Sequence, residues 1–274
     1  MSDPGPLFWA YCSVLAFFFG ACVGSFLNVC IYRIPREESI VAPRSHCPHC
    51  GKPIAWYDNI PLLSWLVLRA RCRACGGPIS PRYVLVELLT AVLFWLVWRT
   101  YGLDARTPVY WLVVGGLILG TFVDLEHLII PDRVSLGGWV AGLVLSPLVP
   151  ALHGVATARE ALMSSAIGLA AGAGSLWLVG VLGKAAFRKD AMGLGDVKLL
   201  GGLGALLGWR AVLFIIMGSS LVGSLVGLGL IVGRRREWQS RIPYGPYLAL
   251  AALVWILRGR VWWDAYIAWL QVGP

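Results

Sequence analysis

Long uninterrupted apolar runs are the feature that most constrains this chain. Of its 274 residues, 58% are hydrophobic and 14% charged, with a mean hydropathy of +0.73. A soluble domain is about half apolar and about a quarter charged. The apolar excess is gathered into runs of helix-spanning length, so it belongs to a bilayer rather than to a soluble core. The expected fold is an all-α polytopic membrane protein. Trp56, Trp98, Trp209, Trp262 and Trp263 stand at ends of apolar runs, where an aromatic belt places them.

Eight candidate spans cover about residues 7–32, 83–98, 108–123, 134–152, 161–183, 199–209, 211–233 and 242–257. No Lys or Arg precedes the first, so it reads as a retained helix with its N-terminus outside, not a cleaved signal. The sixth run is short, and charge decides its role. If all eight cross, the inner segments are 33–82, 124–133, 184–198 and 234–241. These carry eight basic residues in 33–82, then Arg133, then Lys184, Arg188, Lys189 and Lys198, then Arg234, Arg235, Arg236 and Arg241. The outer segments carry only Arg99, Arg106, Arg159, Arg210, Arg258 and Arg260. The positive-inside rule therefore makes the sixth run a true span that begins near Gly195 or sits in locally thinned bilayer. The net charge of +9 is an orientation signal and a match to anionic lipid, and nucleic acid is not an expected partner.

Glycines recur at G-x-x-x-G spacing: Gly116/Gly120, Gly168/Gly172, Gly204/Gly208, Gly223/Gly227 and Gly229/Gly233. Small residues one turn apart let helix backbones approach closely. No internal repeat or low-complexity stretch stands out.

Four of the seven cysteines form two C-x-x-C units, Cys47/Cys50 and Cys72/Cys75, separated by 21 residues. Gly51 and Gly76 follow them, as tight turns require. Two such knuckles close a tetrahedral four-thiolate zinc site with no open position, so its expected role is structural. The alternatives are two disulfides, a redox pair, or a shell in which His46 or His49 replaces a thiolate. Cys12, Cys22 and Cys30 lie in the first apolar run as packing residues. Between the knuckles, the apolar stretch 56–68 is too short and too broken to span; it packs on the knuckles or lies on the membrane surface.

Carboxylates at membrane depth are costly and default to functional candidates. Asp124 ends the third run, where the helix macrodipole disfavours an anion. Asp196 closes Gly193-Leu194-Gly195-Asp196; two glycines before an acid permit close approach of a substrate backbone, while a plain helix cap is the ordinary reading. Asp132 follows Pro131 at a helix start, the pattern of a cap. Glu126 and His127 are solvated or support Asp124, and Glu87 either pairs with a cation or holds an internal hydrogen bond. Two aspartates brought close share a proton: one takes a proton from water and the other donates to a scissile carbonyl, without metal or covalent nucleophile. No G-x-S-x-G or H-E-x-x-H offers another hydrolytic centre.

Gly24-Ser25-Phe26-Leu27-Asn28-Val29 with Arg33-Ile34-Pro35, both knuckles, Asp124 through Ile130-Pro131-Asp132, and Met192-Gly193-Leu194-Gly195-Asp196-Val197-Lys198 complete a pattern. With it the chain resembles the prepilin peptidases, the type IV leader peptidases of pilus and type II secretion systems. The resemblance implies a G-x-G-D aspartic protease whose catalytic pair falls on Asp124 and Asp196. Gly193, Gly195, Lys198 and Asp132 fall in its substrate-loop and supporting positions. It implies cleavage of the leader of a prepilin or pseudopilin after Gly, on the cytoplasmic side of the bacterial inner membrane. The intact zinc loop further implies N-methylation of the new N-terminus from S-adenosylmethionine, with no nucleotide cradle visible to place that donor. On this reading residues 1–32 are the first transmembrane helix, 33–82 the cytoplasmic zinc-binding domain, 83–260 the peptidase domain and 261–274 an interfacial tail. A presenilin-like protease does not account for the zinc loop and the Gly24–Asn28 motif. A zinc-stapled scaffold leaves the two aspartates unexplained, and a proton-coupled transporter would place them nearer mid-bilayer.

Overall fold

The computed structural model describes residues 5–188, 192–233 and 243–272. Lys189, Arg234, Arg235, Arg236 and Arg241, which enter the charge count, lie outside the described residues. The described residues form α1 (Gly5–Arg33), α2 (Leu63–Val67), α3 (Pro81–Tyr101), α4 (Arg106–His127), α5 (Asp132–Leu148), α6 (Ala158–Phe187), α7 (Leu194–Leu207), α8 (Trp209–Val232), α9 (Gly245–Val254) and α10 (Arg260–Val272). No β-strand occurs among them, only two isolated bridges. Five helices, α1, α3, α4, α6 and α8, are long and apolar enough to cross a bilayer. The chain is thus a multi-pass membrane protein. Helices α5, α7 and α9 are shorter than such a span, and α9 runs on through one wide turn, Trp255–Gly259, into the tail helix α10.

The chain divides into two compact units, Met1–Leu119 and Gly120–Pro274. In the first, α1 and α3 pack antiparallel through two glycines. A Cβ on Gly20 would stand 2.8 Å from Ala91 Cα, and one on Gly24 only 2.7 Å from Glu87 Cα. Only bare backbone fits there. Phe94 stacks on Trp111 at 5.3 Å, and the indole N–H of Trp111 donates to Phe94 O at 2.9 Å. After α1, buried Arg33 donates to Ser39 O and Pro43 O, at 2.8 and 2.7 Å, and folds the chain back toward the first knuckle.

The knuckles are an internal repeat that the residue pattern had concealed. Cys47 N–H donates to Lys52 O and Gly51 N–H to Cys47 O; 25 residues on, Cys72 N–H donates to Gly77 O and Gly76 N–H to Cys72 O. Ile54 N–H closes the first unit on Ser45 O, and Ile79 N–H the second on Ala70 O. Gly51 and Gly76 have φ of +69° and +70°, the left-handed conformation glycine adopts without strain. The shared letters are C-x-x-C-G-x-P-I. Between the units, Asp58 holds Arg73 at 2.7 Å, tying the stretch 56–68 to the second knuckle while Trp56 stays 80% exposed.

In the second unit α7 is the central helix, buried continuously from Leu199 to Leu207. It begins at Leu194, so the sixth run is fourteen residues long. Gly168 and Gly172 of α6 meet Gly204 and Leu200 of α7 backbone to backbone, and Gly142 of α5 abuts Ala205. The Gly168/Gly172 spacing therefore marks a real helix contact, whereas Gly229 faces open space. Trp139 Nε1–H donates to Lys198 O at 2.7 Å and pins α5 to the first turns of α7.

Candidate active site and metal centre

Helix α4 ends at His127, and Leu128 turns into the left-handed region at φ 55°. That exit leaves Asp124 in the last turn, 5% exposed, with its carboxylate aimed inward. The Gly245 N–H donates to Asp124 Oδ2 at 3.1 Å. This N–H is one of the donors left free at the start of α9, and Pro246 behind it begins the helix with a fixed φ. A Cβ on Gly245 would stand 2.7 Å from that same oxygen, so only glycine admits the contact.

Asp196 lies in the first turn of α7, but its side chain does not cap the helix; Gly193 is the N-cap residue and makes no side-chain bond. Asp196 Oδ1 is buried without a hydrogen-bond partner. Gly195, the residue before Asp196, packs on Ile130, and Ile130 packs on Gly245, which holds Asp124, so both carboxylates stand about one shared side chain. Ile130 is the wedge between their supports: a Cβ on Gly195 would stand 3.2 Å from Ile130 Cβ, and one on Gly245 3.2 Å from Ile130 Cδ1. Gly193 is exposed beside Asp196.

Lys198 is engaged by Asp132 at 2.7 Å, not by Asp196. The pair joins the first turns of α5 and α7. Glu126 and His127 are exposed and stand 4.0 Å apart. Gly245 was not singled out by sequence reasoning, and Ile130 entered it only as part of the segment from Asp124 to Asp132. The available signal was Tyr244-Gly245-Pro246, a glycine opening a helix beside proline.

The four knuckle cysteines bring their Sγ atoms within 4.8 Å of one another, and Cys47 Sγ lies 3.8 Å from Cys75 Sγ. Thiolates about 2.3 Å from a tetrahedral ion stand about 3.8 Å apart, so the group can hold a metal ion. Backbone N–H groups of Cys50 and His49 draw the Cys47 thiol down to about 6, while, against the Gly77 N–H, burial and the neighbouring thiols push Cys75 up to about 11, so the crowded set shares its protons. None of the described cysteines forms a disulfide.

In the first unit Glu87 is buried and takes up the internal option. Its Oε2 accepts from Leu62 N–H at 2.8 Å.

Comparison with known proteins adds the following. Residues 18–101 match the family model described as the bacterial peptidase A24 N-terminal domain, and residues 111–228 match that of the type IV leader peptidase family. A prepilin leader peptidase/N-methyltransferase of Myxococcus xanthus is 45% identical over 85% of this chain and 66% of its own length, so the chain spans just under two thirds of that relative. The protein of the same name from Aeromonas hydrophila is 40% identical over 95% of this chain and 94% of its own. That of Pseudomonas aeruginosa is 34% identical over 93% and 92%. No solved structure matches.

Proposed function

The chain belongs to the type IV leader peptidase family, and from that premise we propose that it cleaves the leader of prepilins or pseudopilins after Gly and then N-methylates the new N-terminus. The observation that carries the peptidase half is the grouping around Ile130 of Asp124, held by Gly245 N–H, and Asp196, whose buried Oδ1 has no partner. Asp124 and Asp196 are the catalytic pair. One ionised carboxylate takes a proton from the attacking water while the other, protonated, donates to the scissile carbonyl oxygen. Collapse of the tetrahedral intermediate then returns a proton to the leaving amine. Gly193 leaves the exposed flank of Asp196 free of a side chain, so an extended substrate strand can lie beside it, while Gly195 gives room to the Ile130 side chain that supports Asp196. Lys198 and Asp132 hold α5 and α7 in register and position Asp196 indirectly.

The metal is zinc, held by Cys47, Cys50, Cys72 and Cys75, with all four positions filled by protein so that it organises residues 33–82 instead of reacting. S-adenosylmethionine supplies an electrophilic methyl group when bound. The first unit suits a cationic reactant, because Glu87 and the unpartnered buried Asn28 Oδ1 are both acceptors. The enzyme lies in the bacterial inner membrane among anionic lipid with its aspartates toward the cytoplasm, as the basic segment 33–82 requires.

The test is mass analysis of a prepilin bearing a Gly-Phe junction, incubated with purified protein with and without S-adenosylmethionine. Loss of the leader in both, plus one methyl only with the donor, is expected. Cleavage without methyl gain removes the second half of the reading. No cleavage, with Asp124→Asn indistinguishable from wild type, leaves a zinc-stapled scaffold.

A further inference from the structure

The first unit holds a second buried polar site, which the cleavage chemistry does not use. Four observations define it. Glu87, in the second turn of α3, accepts from Leu62 N–H at 2.8 Å. Asn28, one turn beyond Ser25 on α1 and 3% exposed, donates Nδ2–H to Tyr83 O at 3.0 Å, leaving Oδ1 without a partner. Gly24 brings α1 against Glu87 Cα, so these side chains share one helix seam. Leu62 is held at φ 62° and ψ −49°, with Leu63 N–H donating to Pro61 O at 2.6 Å. That is a tight γ-turn of the strained hand, which persists only where the surroundings over-determine it. The structure thus places a strained turn against a buried carboxylate beside an unsatisfied acceptor.

A buried acceptor without a donor asks for one from outside the chain. Carboxylate and amide oxygen together favour a cation with several N–H groups. We infer that Glu87 and Asn28 Oδ1 receive the α-ammonium group of the cleaved substrate and that Glu87 takes its proton for methyl transfer. This rests on the methyl-transfer half of the proposed function. The ammonium proton passes to the Glu87 carboxylate. The freed nitrogen lone pair then forms the N–CH3 bond, as the methyl–sulfur bond of a sulfonium donor breaks and leaves its electron pair on sulfur. Asn28 Oδ1 orients the nitrogen by accepting a second N–H. Leu62 N–H holds the carboxylate in place.

The same cluster could serve the α-ammonium of the donor's own methionine part, and the test separates the two sources. Full-length, zinc-loaded protein in detergent is given a pre-cleaved peptide beginning with Phe, together with S-adenosylmethionine, and methylation is read by mass. Glu87→Gln keeps an oxygen for Leu62 N–H. Its kcat/KM for the peptide should fall at least about 100-fold near neutral pH, the range of a lost general base. The defect should shrink above about pH 8, where an α-amine deprotonates unaided; a purely structural role would not produce that. Glu87→Asp should recover part of the rate. Zinc content and equilibrium binding of S-adenosylhomocysteine should stay at wild-type levels in both variants. Loss of that binding would assign the ammonium to the donor and overturn the inference. Undiminished methylation by Glu87→Gln would overturn it while leaving the proposed function intact. A wild-type protein that cleaves but never methylates removes both.

Discussion

The zinc-loop segment of the first unit and the helices around α7 hold together by different physics. In residues 33–82 there is little core: the segment is fixed by four thiolates, two glycine turns and backbone hydrogen bonds repeated 25 residues apart. Around α7 there is no such staple; backbones are in direct contact through Gly168, Gly172, Gly142 and Gly204, and buried apolar side chains fill the rest. A metal-held segment fails when a ligand is lost, because the site's binding free energy is its folding free energy. A glycine-packed bundle fails when volume is added, because close-packed interiors have no slack. The proposed chemistry divides between the two units, with cleavage in the second and methyl transfer in the first.

The sharpest test of that division removes one carboxylate. Asp124→Asn or Asp196→Asn should lower prepilin cleavage by about 10³-fold or more, since neither residue can do the other's half of the proton transfer. Zinc content and methylation of a pre-cleaved peptide should persist. Loss of all three readouts together would mean the units do not act separately. Cys72→Ser is the converse. Zinc should fall from about one per chain to near none, and methylation should fall with it. Cleavage should fall less, and unchanged zinc would refute the four-thiolate site. Gly142→Leu comes next: its side chain must enter the space of Ala205, which should destabilise the second unit by about 1–3 kcal/mol while zinc stays bound. Thermal melting followed beside zinc content checks it.

How much of this could be read from the letters differs between the units. The knuckle ligands and their turns were legible because C-x-x-C-G is local, yet the repeat was missed, since C-x-x-C-G-x-P-I is spread over residues that differ at every other position. The long helices were legible from hydropathy, but the start of α7 at Leu194, beside the expected Gly195, was legible only from the placing of charge. The glycine contacts were legible only in part. Gly168/Gly172 was recognised, but Gly20/Gly24 and Gly138/Gly142 share the spacing and were passed over, while Gly229/Gly233 was counted although Gly229 touches nothing. Spacing reports what a helix face permits; it does not report which helix lies opposite. Gly245 was invisible for another reason: its contribution is a backbone N–H, which every residue but proline has. Glu87 reached Leu62 through a γ-turn that no residue letter announces.

Two smaller effects test the second unit away from its aspartates. His153, between α5 and α6, bonds Ser146 Oγ at 2.8 Å, and burial, with the Arg260 charge, lowers it from 6.5 to about 4. A histidine kept neutral in the fold but free to protonate when unfolded contributes stability that is present above pH 6.5 and is lost as pH falls toward 4. Melting temperature should therefore drop across that window in wild type, and less steeply in His153→Gln. An equal drop in both would exclude His153 as the cause.

The smallest effect expected is that of Lys198→Ala. The Lys198–Asp132 pair is short at 2.7 Å, but its side chains are 33% and 61% exposed. Such a pair contributes only about 0–1 kcal/mol, because solvent screens it and two long side chains must be ordered to form it. Trp139, bonded to the backbone oxygen of Lys198, holds the same turn without using the side chain. Melting should therefore shift by no more than a degree or two, and cleavage should fall only a few-fold. Trp139→Phe removes the bond to the backbone and should cost more than the lysine change. If Lys198→Ala instead abolished cleavage with melting unchanged, Lys198 would have to act on substrate directly. Its bond to Asp132 would then be a resting contact broken during turnover, and the division between positioning and reacting residues in the second unit would have to be redrawn around it.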